Sequence, residues 1–162
     1  MSRFLFKLRP LLLKYFLLVA KHNYVRGIGA KTLRQMQANI DLIDFDYYKK
    51  RKNNRLFIEL LQQNRGVNKA LKLMNRYGIL ERYIPAFGKI VGLMQYDLFH
   101  AYTVDQHTLF VIRNLRRFFI PEFVKEFALC SEIAQGIQKP ELLLLAGLFH
   151  DIAKGTCSAG CG

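Results

Sequence analysis

Two imidazoles and one carboxyl group are the side chains of this sequence best suited to doing chemistry together. His150 and Asp151 are adjacent in "PELLLLAGLFHDIAK", the most apolar stretch of the chain, which reads as one helix from Pro140 to Lys154. A carboxylate in apolar surroundings is costly unless it gains a hydrogen-bonded partner, a positive charge or a bound metal. A divalent cation meets that need, since imidazole nitrogen and carboxylate oxygen are ordinary ligands for zinc, manganese or iron. His107 is the best third ligand. Residue types alone leave a plainer alternative open: a histidine on an apolar face is more often a satisfied core residue, and short His patterns carry little weight without geometry.

The elements that must position these groups follow from local signals. In "YTVDQHTLFVIRNLRRFF", Thr103 and Gln106 have capping-box spacing, which starts a helix at Val104 and places His107 in its first turn. Val111 and Ile112 lie four and five residues on, so His107 leaves from the apolar side, toward whatever that side packs on. Pro140 suits the first position of the last helix, Lys154 its C-terminal dipole and Gly155 the position after its end. His150 and Asp151 then occupy the final turns and reach past the helix end. Asp97 and His100 add potential ligands nearby, but the break expected at Thr103 separates them from His107, and neither is assigned to a metal. Asp105 reads as a favourable charge at a helix N-terminus.

The rest of the chain reads as helical scaffold. The opening "MSRFLFKLRPLLLKYFLLVAKHN" has a basic start and an apolar run, yet its uninterrupted apolar stretch is far shorter than the roughly 20 residues that cross a bilayer. A buried helix with Pro10 near its first turn is expected instead. Gly27 and Gly29 form a turn, and the next helix carries Leu33, Met36 and Ile40 inward. "DLIDFDYYKKRKNN" reads as a polar connection leading to an apolar side of Leu56, Phe57, Leu60 and Leu61. Val67, Ala70, Leu71 and Met74 have the spacing of one helix face, and Gly78 supplies the stop.

Composition sets wider limits. The 162 residues are half apolar and carry a formal charge of +13, enough for one domain with a core. The charge invites a nucleic-acid reading, but the basic residues are scattered, with short clusters at Lys49 to Lys52 and Arg113 to Arg117, and no RNA-binding or zinc-finger motif accompanies them. Most read as solvated helix faces. Cys130 reads as a small apolar residue in the helix after Pro121, while Cys157 and Cys161 match no complete zinc motif. An odd cysteine count without a signal peptide points to a reducing cytoplasm.

At longer range the chain resembles a known family. "LMNRYGILERYIPAFGKIVGLMQYDLFHAYTVDQHTLFVIRNLRRF" followed by "KPELLLLAGLFHDIAKG" closely resembles the bacterial PII uridylyltransferase/uridylyl-removing enzymes, and "IGAKTLRQMQANIDLID" and "FIELLQQNRGVNKAL" look like the same family. That resemblance implies a large enzyme with a nucleotidyltransferase domain, a helical HD-type phosphohydrolase domain and two glutamine-sensing ACT domains. It implies an all-α, multi-helix bundle for this chain: residues 1–95 a helical connector, 96–155 the first part of the HD domain, and 156–162 an anomalous tail. It also identifies His107, His150 and Asp151 with the first His and the His-Asp pair of the HD metal site, with magnesium or manganese as the cofactor. The family pattern continues after "HDIAKG" into a Gly-rich turn and an Asp-His-Ser sequence, whereas this chain continues "TCSAGCG". Nothing before His107 resembles the Gly-Ser motif and paired aspartates of nucleotidyltransferases. A piece with neither complete active site is therefore expected.

The activity the resemblance implies is transfer of UMP from UTP to a tyrosine of the PII signal protein when glutamine is scarce, and its metal-dependent hydrolytic removal. The competing reading, from a different class, is a non-enzymatic basic helical interaction module.

Overall fold

The computed structural model describes residues 2–22, 24–25, 27–94 and 102–155. Asp97, His100, Cys157 and Cys161 lie outside them. The described residues are helical, with one isolated antiparallel bridge between Met94 and Thr103 and no strand. No helix among them is long and apolar enough to cross a membrane. The chain divides into two compact units, Met1–Gly88 and Lys89–Gly162.

The first unit contains α1 (Ser2–Lys21), α2 (Ala30–Gln37), α3 (Phe45–Lys49), α4 (Arg51–Leu61), α5 (Val67–Arg76), α6 (Ile79–Tyr83) and α7 (Pro85–Gly88). Its centre is α1 packed on α4 and α5. Leu13, Phe16, Leu60, Leu61, Leu71 and Met74 are almost fully buried there. All four of the spaced residues Val67, Ala70, Leu71 and Met74 are in the core. Helix α5 ends at Arg76, with Gly78 left-handed at φ +73°, a conformation that favours glycine. Gly66, at φ +80°, does more than turn the chain. A Cβ there would lie 2.3 Å from the Ala20 carbonyl oxygen, so the glycine lets the start of α5 touch the backbone of α1.

Three expectations for this unit need correction. Pro10 is not near the start of its helix, because α1 begins at Ser2 and carries the proline in its interior. Helix α2 ends at Gln37, so Ile40 belongs to the following 3-10 turn, Ile40–Leu42, and only Met36 of the expected trio is fully buried. The segment read as a polar connection is largely helical. Asp44 caps α3 by accepting from the Tyr47 N–H at 2.9 Å, Tyr47 is buried, and buried Asn53 donates from Nδ2 to the Tyr47 carbonyl at 2.6 Å. Charge on the outer face hid a capped turn wrapped around one aromatic.

The second unit contains α8 (Val104–Arg117), α9 (Ala128–Gln135) and α10 (Pro140–Phe149), with 3-10 turns at Pro121–Phe123 and Ile152–Gly155. Helices α8 and α10 pack on each other. Ile112, Leu144 and Leu148 are fully buried, and Gly147 lies against α8, where a Cβ would come 2.6 Å from the tip of the Leu115 side chain. Leu142 and Phe149 are exposed, as is Cys130 on α9. Pro121 opens only the short 3-10 turn; the helix containing Cys130 starts at Ala128.

Candidate metal centre

Helix α10 stops before the residues expected to lie in its last turns. Phe149 is its final residue, His150 caps it, and Asp151 begins a turn into Ile152–Gly155. A local competitor explains this. His150 Nδ1 lies 2.7 Å from the Gly147 carbonyl, the acceptor that a continuing helix would offer to the N–H of Asp151. The apolar helix therefore presents its ionisable pair at its end, not in its interior.

That same contact orients the ring. A carbonyl oxygen can only accept, so in neutral His150 the proton sits on Nδ1 and the lone pair on Nε2. Nε2 lies 3.3 Å from Asp151 Oδ2. From α8, His107 Nε2 approaches the same oxygen at 3.8 Å, and the two imidazole centroids are 5.7 Å apart. One ligand atom from each of His107, His150 and Asp151 lies within 4.8 Å of the others. The Asp151 side chain is only 12% exposed, against 40% and 35% for His107 and His150, so the carboxylate forms the floor and the rings the open rim. Lys154 Nζ also binds Asp151 Oδ2, at 2.9 Å. Lys154 is thus part of the cluster and not simply a cation at a helix end.

His107 is fixed by the start of α8. Thr103 is the N-cap residue, as its spacing predicts, but its side chain makes no capping bond. The preceding chain holds the helix start instead. The Val104 N–H donates to the Leu93 carbonyl at 2.9 Å, Met94 bridges Thr103, and the Gly92 N–H donates to Asp105 Oδ1 at 3.1 Å. Asp105 is only 4% exposed, so it is a buried anchor as well as a first-turn charge. On the other side of the cluster, Gly155 rests on the backbone of Lys89, where a Cβ would come within 2.8 Å of the Lys89 carbonyl oxygen. The short segment from Lys89 to Met94 therefore braces both the turn that carries His107 and the turn that follows Asp151. Sequence reasoning missed this brace; an aspartate in a first turn shortly after two glycine-containing turns was its only signal.

The donor set suits a divalent ion. Bonds of about 2.1 Å place adjacent ligands of such an ion roughly 3 Å apart, close to the separations of Asp151 Oδ2 from the two nitrogens. Three protein ligands on a half-open rim leave positions for water or a phosphoryl oxygen. Two cavities of the first unit, one lined by Leu11, Tyr15, Leu18 and Met36 and the other by Arg51, Asn54, Arg55 and Glu59, contain none of these ligands.

The described residues are helical, and those of the second unit gather two imidazoles and a carboxylate, a set that could hold a metal ion. By sequence, the chain belongs to the uridylyltransferase GlnD third-domain family, whose model matches residues 2–83. It is 56% identical over 144 residues to the bifunctional uridylyltransferase/uridylyl-removing enzyme of Nitrosococcus oceani, a match covering 89% of this chain and 16% of that enzyme. The enzymes of the same name from Methylococcus capsulatus and Pseudomonas aeruginosa are 52% and 48% identical, over 90% and 93% of this chain and 16% and 17% of theirs. The chain thus spans about one sixth of the length of these relatives. Alignments of 144 residues exceed the first unit and run into the second. No solved structure matches.

Proposed function

We propose that the second unit supplies ligands to the metal centre of an HD-type phosphodiesterase, the uridylyl-removing activity named in the relatives, within a polypeptide as long as theirs. The observation that carries this reading is the convergence of His107 Nε2, His150 Nε2 and Asp151 Oδ2 from two separate elements onto one volume. In this reading residues 1–95 are the connector and 96–155 the first part of the HD domain. The substrate is a uridylyl-tyrosine phosphodiester on the PII signal protein. Water adds at phosphorus, the bond to the tyrosyl oxygen breaks, and UMP and the free tyrosine leave.

A divalent ion, magnesium or manganese, would polarise a phosphoryl oxygen and lower the pKa of a bound water. The chain's own residues do the positioning. Gly147 holds the His150 ring so that its lone pair faces the cluster, and such an outer hydrogen bond fixes both tautomer and orientation. Asp151 supplies the negative charge, shielded from solvent beneath the rings. His107 closes the set from the start of α8. Transfer of UMP from UTP, and its control by glutamine, are assigned to other parts of such a polypeptide.

The test is a chimera in which the matching segment of the Nitrosococcus oceani enzyme is replaced by this one. It should release UMP from uridylylated PII when manganese is supplied. His150→Ala should abolish release and spare transfer from UTP; equal loss of both activities would mean that the substitution damages folding and would remove the support for this site.

One observation favours a second reading. Arg51, Lys52 and Arg55 are exposed on α4, and Arg51 and Arg55 line an open groove of about 540 Å³. A basic interaction module would use such a face, and binding to a polyanion would then weaken steeply as salt rises.

A further inference from the structure

Lys154 is bonded to the same oxygen, Asp151 Oδ2, that faces both histidine nitrogens. The ammonium therefore occupies the electrostatic role a divalent ion would take. It neutralises the one carboxylate of the cluster from a distance of 2.9 Å. An ammonium and a dication cannot share that oxygen at close range without strong repulsion, because their charges have the same sign and the carboxylate is shielded from bulk water.

The placement of Lys154 is built into the backbone on both sides. Its N–H donates to the Asp151 carbonyl at 3.1 Å, closing the 3-10 turn that sets the three-residue spacing between the two side chains. Immediately after it, Gly155 lies against the Lys89 backbone so closely that only a residue without Cβ fits. Lys154 is thus held between two fixed points, with its side chain 37% exposed at the open rim. A lysine on a mobile tail would meet Asp151 by chance. This one is delivered to it.

We infer that Lys154 is an exchangeable counter-ion of the candidate metal centre: it pairs with Asp151 until a divalent cation binds, and then turns to the anionic phosphate of the substrate. The inference rests on the metal reading above and extends it to the phosphate-bearing ligand. Lys154 stays within reach of the rim through either state, because its backbone does not have to move. Its flexible stem and three rotatable donors suit a group that changes partners. Its two roles oppose each other, and so make a distinctive prediction. As a counter-ion it competes with the metal; as a phosphate ligand it assists the substrate.

The test measures both in one variant. Manganese binding to the chimera described above is followed by calorimetry, with its His150→Ala counterpart as the blank for other metal sites, and UMP is then titrated into the manganese-loaded protein. Lys154→Met, which keeps the length of the stem and removes the charge, should bind manganese about tenfold more tightly and UMP about tenfold more weakly than the parent. Lys154→Arg should stay near the parent for UMP. A structural role would loosen both affinities together, and that result overturns the inference, as does unchanged affinity for either ligand. If the parent chimera takes up no more manganese than its His150→Ala counterpart, the metal reading itself fails and Lys154 has nothing to exchange with. If the parent binds manganese and Lys154→Met matches it, only the exchange is lost.

Discussion

Replacing Asp151 by Asn removes the single negative charge of the cluster while keeping its shape. Asp151 Oδ2 lies 3.3 and 3.8 Å from the two imidazole nitrogens, so a bound ion must sit against this oxygen if it touches both rings. A dication about 2.1 Å from a carboxylate oxygen interacts with it by roughly 4 kcal/mol in water and roughly 16 kcal/mol at an effective dielectric constant of about 20. The ion would sit at the open rim between rings more than one third exposed, and asparagine keeps an oxygen to offer it, so the net loss falls below even the figure in water, at about 2.7 kcal/mol or a hundredfold in affinity. The assay is thermal unfolding with and without manganese. At manganese a hundred times the parent Kd, binding stabilises the folded unit by about 2.7 kcal/mol, but the weakened variant gains only about 0.4 kcal/mol at the same concentration. For a unit of this size that is a rise in Tm of roughly 10 °C or more against roughly 2–3 °C. A variant that keeps the full manganese-dependent rise refutes the reasoning, because the ion would then be bound elsewhere.

Other outcomes test the parts that hold the site and the scaffold. Gly66→Ala must place a methyl group 2.3 Å from the Ala20 carbonyl oxygen at φ +80°, so unfolding of the first unit should shift down by roughly 10 °C or more; a shift under about 2 °C would show that α1 and α5 are not locked there. Asp105→Ala strips the partner from the Gly92 N–H in a buried position, and should cost about 1–3 kcal/mol in urea unfolding and weaken manganese binding, whereas Asp105→Asn, which keeps an acceptor, should cost less. Burial pushes the Tyr47 phenol up to about 12 and raises that of Tyr83 further, so both stay neutral in the folded unit after the unfolded chain begins to ionise near pH 10. The stability they contribute is complete below about pH 10 and falls as pH climbs to 12, with the Tyr83 share still falling beyond it; circular dichroism against pH should show this alkaline loss, and Tyr47→Phe should make it shallower by about 1 kcal/mol per pH unit.

The legible parts of this chain were those in which one local signal had no competitor. Val67, Ala70, Leu71 and Met74 repeat at a helical period and end at Gly78, and they form a buried face. Pro140 marks the first residue of α10, and Val104 the first of α8. Reading failed where two signals competed. The charges of the segment after Ile40 outweighed Asp44 and Tyr47, although one capping bond and one buried ring were enough to build α3. On α10 the apolar run concealed which side faces inward. Leucine lies on every side of that helix, so the pattern cannot choose; the face that packs on α8 carries Leu144, Gly147 and Leu148. The end of α10 was equally hidden, because a histidine side chain and not a glycine or proline terminates it.

These misreadings share a cause that bears on the candidate site. Each local rule treats a side chain as serving one element, whereas the residues around the metal cluster serve two. Gly147 faces the Leu115 side chain of α8 and orients His150 with its carbonyl. Asp105 carries charge at the start of α8 and anchors Gly92, while Gly155 closes the turn after Lys154 by resting on Lys89. Such double use joins the positions of the three ligand atoms, so that a shift in the Lys89–Met94 segment moves His107 and the Asp151–Lys154 turn together. The lengths of α8 and α10 matter less. The site would tolerate changes on the exposed faces of those helices, and lose its geometry through a methyl group added to a glycine that carries no chemistry of its own.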